Sequence, residues 1–334
     1  MLEARLHGPG DVRLAQVEPP APEPGSSLLR VTAVGICGSD LHWFAEGAIG
    51  DARLERPLVL GHEFGGVVEG GALDGRRVAA EPAIACGSCE RCLEGNPNLC
   101  PVVRFAGHGR QDGALRERMA WPTGLLQPVP AEMSDEAVAL LEPLGIAVHA
   151  FDLGHVRLGA SVAVIGCGPI GLLLLQVARA GGSGTVVAVE PLEHRRAAAA
   201  SYGLGPAIGP DGDLPAALEA AGMPSGVDVA FEAAGTDEAV AMGMQLVRPG
   251  GRVVLAGIPA GDSISFPAGL ARRKGLTIAL ARRSRNTLPR AIRLVERGMV
   301  ELDPLVTHRL PLTEVSAAFT TASARTGLKT VVLP

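Results

Sequence analysis

SVAVIGCGPIGLLLLQVARAGG, residues 161–182, carries more of the fold than any other stretch of this chain. It reads as a strand over 161–165, a glycine-rich turn, and an apolar helix to about residue 180. Gly166, Gly168 and Gly171 make G-x-G-x-x-G: the first allows the turn, the second lets backbone approach a pyrophosphate, and the third packs helix on strand. A helix N-terminus at this point favours phosphate charge. Alone the motif is weak, but VVAVE follows and puts Glu190 19 residues beyond Gly171. A carboxylate there suits adenosine ribose hydroxyls and repels a 2′-phosphate, which favours NAD. Arg195 and Arg196 come next; either can meet a phosphate, so NADP stays as the alternative.

Further units of the same kind follow. VDVAFEAAG (227–235) reads as a strand, DEAVAMGMQLV (237–247) as an amphipathic helix, GGRVVLAGI (250–258) as a strand, and 276–280 as one more. Strands alternating with helices imply a parallel sheet wound on both faces. Ligand then belongs at the carboxyl ends of the strands, near Gly235, Thr236, Gly257 and Ile258. The first 145 residues differ: short apolar strands alternate with Gly and Pro turns, the pattern of an irregular β-barrel. The tail from LVTHRLPL (305–312) to the end resumes that style and is expected to fold back onto it.

The chain has 334 residues, enough for two domains. A net charge of −5 gives no basic face for nucleic acid or an anionic membrane. The start lacks a signal-peptide core, and no apolar run approaches the roughly 18 residues of a membrane span. A reducing cytoplasm is expected, where cysteines gathered together are better read as metal ligands than as disulfides. Four of the six cysteines lie in CGSCERCLEGNPNLC, residues 86–100. Cys86, Cys89, Cys92 and Cys100 can wrap one tetrahedral zinc, and four protein ligands leave no place for substrate, so that ion would be structural.

A second, mixed set has room for chemistry. Cys37 lies in GICGSDLHWF (35–44), His62 and Glu63 in LVLGHEFGG (58–66), and Glu142 in LLEPLGIAVH (140–149). Thiolate, imidazole and carboxylate are the ligands of a catalytic zinc with one position free. Cys37 and Glu63 already cancel the charge of Zn²⁺, so Glu142 is expected either to exchange with a ligand or to hold the zinc water. Asp40 is placed to orient His62. Ser39 and His42 can pass a proton outward, although both also suit an ordinary helix start.

GICGSDLH, GHE, the four-cysteine lobe, EPLG and VIGCGPIG occur in an order that resembles the zinc-containing medium-chain alcohol dehydrogenases, over essentially the whole chain. EPLGIAVHA, the glutamate after His62, RNTLPRAI (285–292) and LVTHRLPL bring it nearest the polyol branch of sorbitol and xylitol dehydrogenases. The resemblance implies an α/β protein: a GroES-like catalytic domain (1–147) with both zinc sites, a Rossmann NAD domain (148–283), and a return segment (284–334). It implies two zinc ions per chain, a small-molecule alcohol substrate, and a homo-dimer or tetramer. It places Cys37, His62 and Glu63 on the catalytic zinc, Glu142 beside its water, and the four cysteines on the structural zinc. Glu190 and Arg195 fall on the adenosine side, Pro169 and Ile170 in the pyrophosphate turn, and Arg283 near substrate and cofactor. The expected reaction is oxidation of a secondary hydroxyl to a ketone. Sorbitol dehydrogenases carry tyrosine where Trp43 and Ser284 stand, which leaves a diol or L-threonine open as substrate. A non-enzymatic NAD-binding sensor is the alternative of another kind.

Overall fold

The computed structural model describes residues 1–259, 261 and 263–334. They form two compact units. One comprises Met1–Glu142, Leu288–Glu296 and Glu301–Pro334; the other comprises Pro143–Thr287 and Arg297–Val300. The expected boundaries, 147 and 283, fall a few residues from these breaks.

The second unit holds six parallel strands. Across the sheet they run Ala207–Ile208, Val186–Val189, Val162–Ile165, Val227–Glu232, Val247–Leu255 and Thr277–Leu280. In chain order this is 3-2-1-4-5-6, the doubly wound arrangement, with its switch point beside Val162–Ile165. VAVI and VVAV are buried at every residue. That is why they are continuous apolar runs rather than alternating ones: helices cover both faces of a parallel sheet. Asp228 joins two strands at the opposite end, accepting from both the backbone N–H and the hydroxyl of Ser161 at 2.8 Å.

In the first unit seven strands pair into one sheet. The path is Leu126–Pro128, Arg77–Ala80, Glu63–Glu69, Ser26–Gly35, Lys329–Leu333 and Val306–Pro311, with Arg118–Pro122 also on Ser26–Gly35. The pairings are antiparallel except the last along the path, Val306–Pro311 with Lys329–Leu333. The core beneath combines Trp43, Phe64, Trp121 and Phe319 with leucine and valine.

Asp135–Gly154 is long and apolar enough to cross a membrane, although Glu142 and Pro143 interrupt every apolar run in its sequence. Most of its apolar window is buried inside the protein. That burial accounts for its composition as a core helix.

One charged knot fixes the segment that leads into His62. Asp112 Oδ1 accepts from Val59 N–H at 3.2 Å, and Oδ2 lies 3.1 Å from Arg5 and 3.4 Å from Arg116. Beside it, Gly113 donates to Val59 O, Ala114 to Gly61 O and Leu115 to Leu60 O, at 2.7–3.0 Å. Burial raises the Asp112 carboxyl, but the Val59 N–H and then Arg116, Arg5 and Arg56 hold it below its ordinary 3.8. A depressed folded-state pKa contributes stability above the unfolded value and loses it as pH falls through the folded one. Asp112→Asn is therefore expected to cost about 1–3 kcal/mol at neutral pH, a difference that narrows as pH falls below the ordinary carboxylate range. A series of thermal melts from neutral to strongly acidic pH tests this, and a loss that never narrows would refute it.

Candidate active site and metal centres

The register of two antiparallel strands assembles the mixed ligand set. Gly35, last residue of Ser26–Gly35, pairs with Glu63, first residue of Glu63–Glu69. Cys37 lies two residues past Gly35 and His62 one residue before Glu63, so both chain ends leave the sheet at the same place. Cys37 Sγ, a His62 ring nitrogen and a Glu63 carboxylate oxygen lie within 4.8 Å of one another. One tetrahedral zinc with arms of about 2.0–2.3 Å needs its donors roughly 3.3–3.8 Å apart, so this set encloses a volume that one ion fills.

Cys37 is also the N-cap of the helix Gly38–Glu46. A helix N-terminus favours a thiolate. Asp40, in the first turn, ties the pieces together. Its Oδ2 accepts from Cys37 N–H at 3.0 Å, its Oδ1 accepts from Gly61 N–H at 3.2 Å, and Oδ1 lies 3.4 Å from His62 Nδ1. Burial disfavours charge on His62, yet Asp40 and then Cys37 outweigh it and raise the imidazole well above its usual value. The surrounding anions ask for positive charge at this point. Ser39 Oγ lies 3.4 Å from His62 Nε2, whereas His42 faces Glu46 at 3.4 Å on the outer side of the same helix.

Glu142 is 7% exposed and stands outside the close three-residue set. Burial pushes its carboxyl up to about 8; Glu63 and Glu81 add to the rise, and His62 and Lys329 oppose it. Lys329 is a member of this site that sequence reasoning missed. It is buried and lies 2.5 Å and 2.7 Å from the two carboxylate oxygens of Glu63. A lysine near the C-terminus carries no local signal of such a role. Trp43 is also buried, packed edge-on against His108 with centroids 5.5 Å apart, while Phe105 lies 5.2 Å from the His62 ring.

The four-cysteine lobe comes together as its spacing implied. All four sulfurs lie within 4.8 Å of one another, Cys86 and Cys92 at 3.9 Å, close to the roughly 3.8 Å edge of a zinc–sulfur tetrahedron. Backbone N–H groups of Ser88 and Cys89 hold the Cys86 thiol down to about 6, while desolvation and the sulfurs of Cys89, Cys100 and Cys86 push Cys92 up to about 12. Four such thiols cannot all ionise side by side without a cation to balance them.

In the second unit the glycine turn closes as its residues require. Gly166 has φ +89°, and a side chain there would come within 2.9 Å of Ala234. A side chain on Gly171 would overlap the Gly166 carbonyl oxygen. Gly168 caps the helix Pro169–Ala180, with Pro169 and Ile170 in its first turn. Glu190 is buried; its two oxygens accept from Cys167 N–H at 2.6 Å and Leu192 N–H at 2.9 Å, which ties it to the glycine turn. An Arg195 guanidinium nitrogen lies 3.6 Å from where a side chain of Gly168 would begin. Gly235 and Gly257 meet back to back, and Ile258 beside them is 47% exposed. Sequence reasoning overlooked Glu232, whose Oε1 accepts from Ala234 and Gly235 N–H at 2.6 and 2.5 Å. Arg283, at φ +55°, and the buried Ser284 belong to this unit as well.

Residues 169–297 match the zinc-binding dehydrogenase family, and residues 23–131 match the alcohol dehydrogenase GroES-like domain. The chain is 36% identical to sorbitol dehydrogenase of Macaca fascicularis, over 97% of this chain and 93% of that one. A zinc-binding dehydrogenase of Sinorhizobium meliloti, solved with NADP bound, superposes with a TM-score of 0.89 at 31% identity, covering 100% of this chain and 99% of that one. The 2R,3R-butanediol dehydrogenase of Bacillus subtilis gives a TM-score of 0.88 at 29% identity, with coverage of 100% and 99%. Matched along its length in both sequence and fold, the chain belongs to the zinc-binding medium-chain alcohol dehydrogenases, where it stands with the sorbitol dehydrogenases, and it is an oxidoreductase that works with zinc and a nicotinamide cofactor.

Proposed function

We propose that the chain oxidises a secondary hydroxyl of a sorbitol-like polyol to the ketose, with NAD as acceptor and two zinc ions per chain. The observation that carries this is the Cys37–His62–Glu63 set: three protein donors around one ion-sized volume leave one position for a substrate oxygen. The four cysteines are the ligands of the second, structural ion. Zinc, when bound, supplies Lewis acidity to the substrate hydroxyl, and the nicotinamide supplies the hydride acceptor.

The protein's own residues do the rest. Asp40 fixes the His62 ring through Nδ1 and leaves Nε2 directed to the reacting side. Ser39 Oγ, next to Nε2, is placed to take the substrate's proton. His42, half-buried on the same helix, can carry it to solvent near neutral pH. Glu142, buried beside this set, is placed to exchange with a ligand or to hold the zinc-bound water. In the second unit Gly166, Gly168, Pro169, Ile170 and Gly171 receive the pyrophosphate, with Gly235, Gly257 and Ile258 along the same sheet edge. Glu190, fixed in place by two backbone N–H groups, sits where ribose hydroxyls bind and a 2′-phosphate is repelled. Arg195 lines the adenosine side, and Arg283 serves substrate and cofactor. A reducing cytoplasm suits the unpaired thiols, and a homo-dimer or tetramer is the expected assembly. A diol or L-threonine is the competing substrate class, because Trp43 and Ser284 stand where the polyol enzymes carry tyrosine.

NADH formation with sorbitol, xylitol, galactitol, 2,3-butanediol and L-threonine, with and without a zinc chelator, tests the substrate. Chelator-sensitive turnover on a polyol supports the reading, while turnover on threonine alone sinks it. Silence on every substrate with NAD still bound would point to an alcohol outside this panel. Cys37→Ser and His62→Ala are each expected to lower kcat/KM by roughly three factors of ten or more while NAD binding survives, since several kcal/mol of Lewis-acid stabilisation go with the ion. Cys86→Ser should instead lower Tm. Glu190→Gln should raise KM for NAD about tenfold, the loss of a charged hydrogen-bond partner worth roughly 1.5–3 kcal/mol, and improve NADP relative to NAD. An unchanged NAD to NADP preference would count against Glu190 as the discriminator.

A further inference from the structure

We infer that Lys329 is a positioning residue of the metal centre: its ammonium holds the Glu63 carboxylate in place, balances the buried charge, and weakens the site's grip on the ion. This rests on the reading of Cys37, His62 and Glu63 as the zinc ligands.

Lys329 begins the strand Lys329–Leu333, which lies against Ser26–Gly35 with Val331 opposite Gly35. Its Nζ donates to Glu63 Oε1 at 2.7 Å and to the Ile36 carbonyl at 2.9 Å, and it lies 2.5 Å from Glu63 Oε2 as an ion-pair contact. The side chains of Lys329 and Glu63 are each 2% exposed, so the pair is screened from water. Burial works against the charge on Lys329; Glu63, then Cys37 and Asp40, more than offset it. On one side the pair meets the bare backbone of Gly35. A side chain on Gly35 would overlap Glu63 Oε2 and come within 3.1 Å of Lys329 Cε. Glu63 therefore has one place to stand.

The charges close only when Lys329 is counted. Cys37 as thiolate, Glu63 and Asp40 bring three negative charges, and Zn²⁺ with Lys329 brings three positive. Both cations draw on one carboxylate, and at such short range in a dry interior they repel each other strongly. Each lowers the affinity of the site for the other, and this coupling is reciprocal. Removing the ammonium should leave Glu63 wholly to the metal and make the metal harder to remove. A purely structural lysine predicts the opposite, because a loosened site releases its ion faster.

The test follows zinc transfer from the loaded enzyme to a competing chromogenic chelator; the phase that Cys37→Ser abolishes identifies this site. Lys329→Met is expected to slow that phase at least threefold and to widen the Tm gap between zinc-loaded and zinc-stripped protein. Release that is unchanged or faster overturns the inference. Should Lys329→Met fail to fold, Glu63→Gln and the double variant Lys329→Met with Glu63→Gln decide it. The double variant has no unmatched charge in the pair and should release zinc more slowly than Glu63→Gln alone, whose ammonium has lost its carboxylate. Equal rates in those two variants overturn the role of Lys329. Wild-type zinc retention in Glu63→Gln would instead discard Glu63 as a ligand, a separate failure.

Discussion

The carboxylate of Glu63 is buried at 1% exposure, and a buried carboxylate is costly unless a cation or hydrogen-bond donors stand against it. The first unit is organised around that requirement. Its place in the sheet, opposite Gly35, leaves room for the carboxylate only because residue 35 has no side chain. Cys37 and His62 are brought beside it by the same pairing, since both follow directly from the paired strand ends. Asp40 then fastens Cys37 and Gly61 by their backbone N–H groups and faces His62. Two carboxylates, a thiol and an imidazole share a small dry volume, which favours concentrated positive charge.

The second unit answers a different constraint, the close approach of backbone. Gly166, Gly171, Gly235 and Gly257 each sit where a side chain would meet a neighbouring main chain. Two buried glutamates hold the loops between them: Glu190 braces the glycine turn at Cys167, and Glu232 braces the turn at Ala234 and Gly235. Backbone N–H groups pin both carboxylates across their turns, Glu190 through both oxygens and Glu232 through Oε1. Cys167 has no chemical part in this. Burial pushes its thiol up to about 12, and it fills the turn as a small apolar residue.

Much of this was legible in the sequence because it rests on local patterns. Short buried strands, G-x-G-x-x-G and the cysteine spacing are each set by neighbours a few residues apart. Glu190 was legible through its spacing from the turn, although its hydrogen bonds to Cys167 and Leu192 were not. What stayed hidden depends on pairing between distant segments. Glu232 reads in sequence as an ordinary end of a strand, and only the turn folding over it gives its carboxylate two donors. The weak aromatic content, 3%, also misleads when averaged. Trp43, Phe44, Phe64, Phe105, Trp121 and Phe319 all lie in the first unit, where irregular strands leave volumes that aliphatic side chains fill poorly. The parallel sheet is layered mainly from Val, Ile, Leu and Ala, with Phe231 stacked on Phe151.

Lys329 is the clearest case of what sequence distance conceals. It meets Glu63 across 266 residues of chain. The first 142 residues can pair Ser26–Gly35 with Glu63–Glu69 and gather Cys37 and His62, yet Glu63 then lacks the cation that burial demands. The intervening second unit must be traversed before Lys329–Leu333 adds itself to the sheet edge beside Gly35. Closing so long a loop costs entropy that only contacts formed afterwards can offset. A buried ion pair is a poor source of net stability but a strong penalty when half of it is missing. Its effect here is to tie the buried Glu63 to the C-terminal strand: Lys329 is the residue of Lys329–Leu333 that brings an ammonium to Glu63. The same contact that adds the strand to the sheet thereby sets a cation against the buried carboxylate.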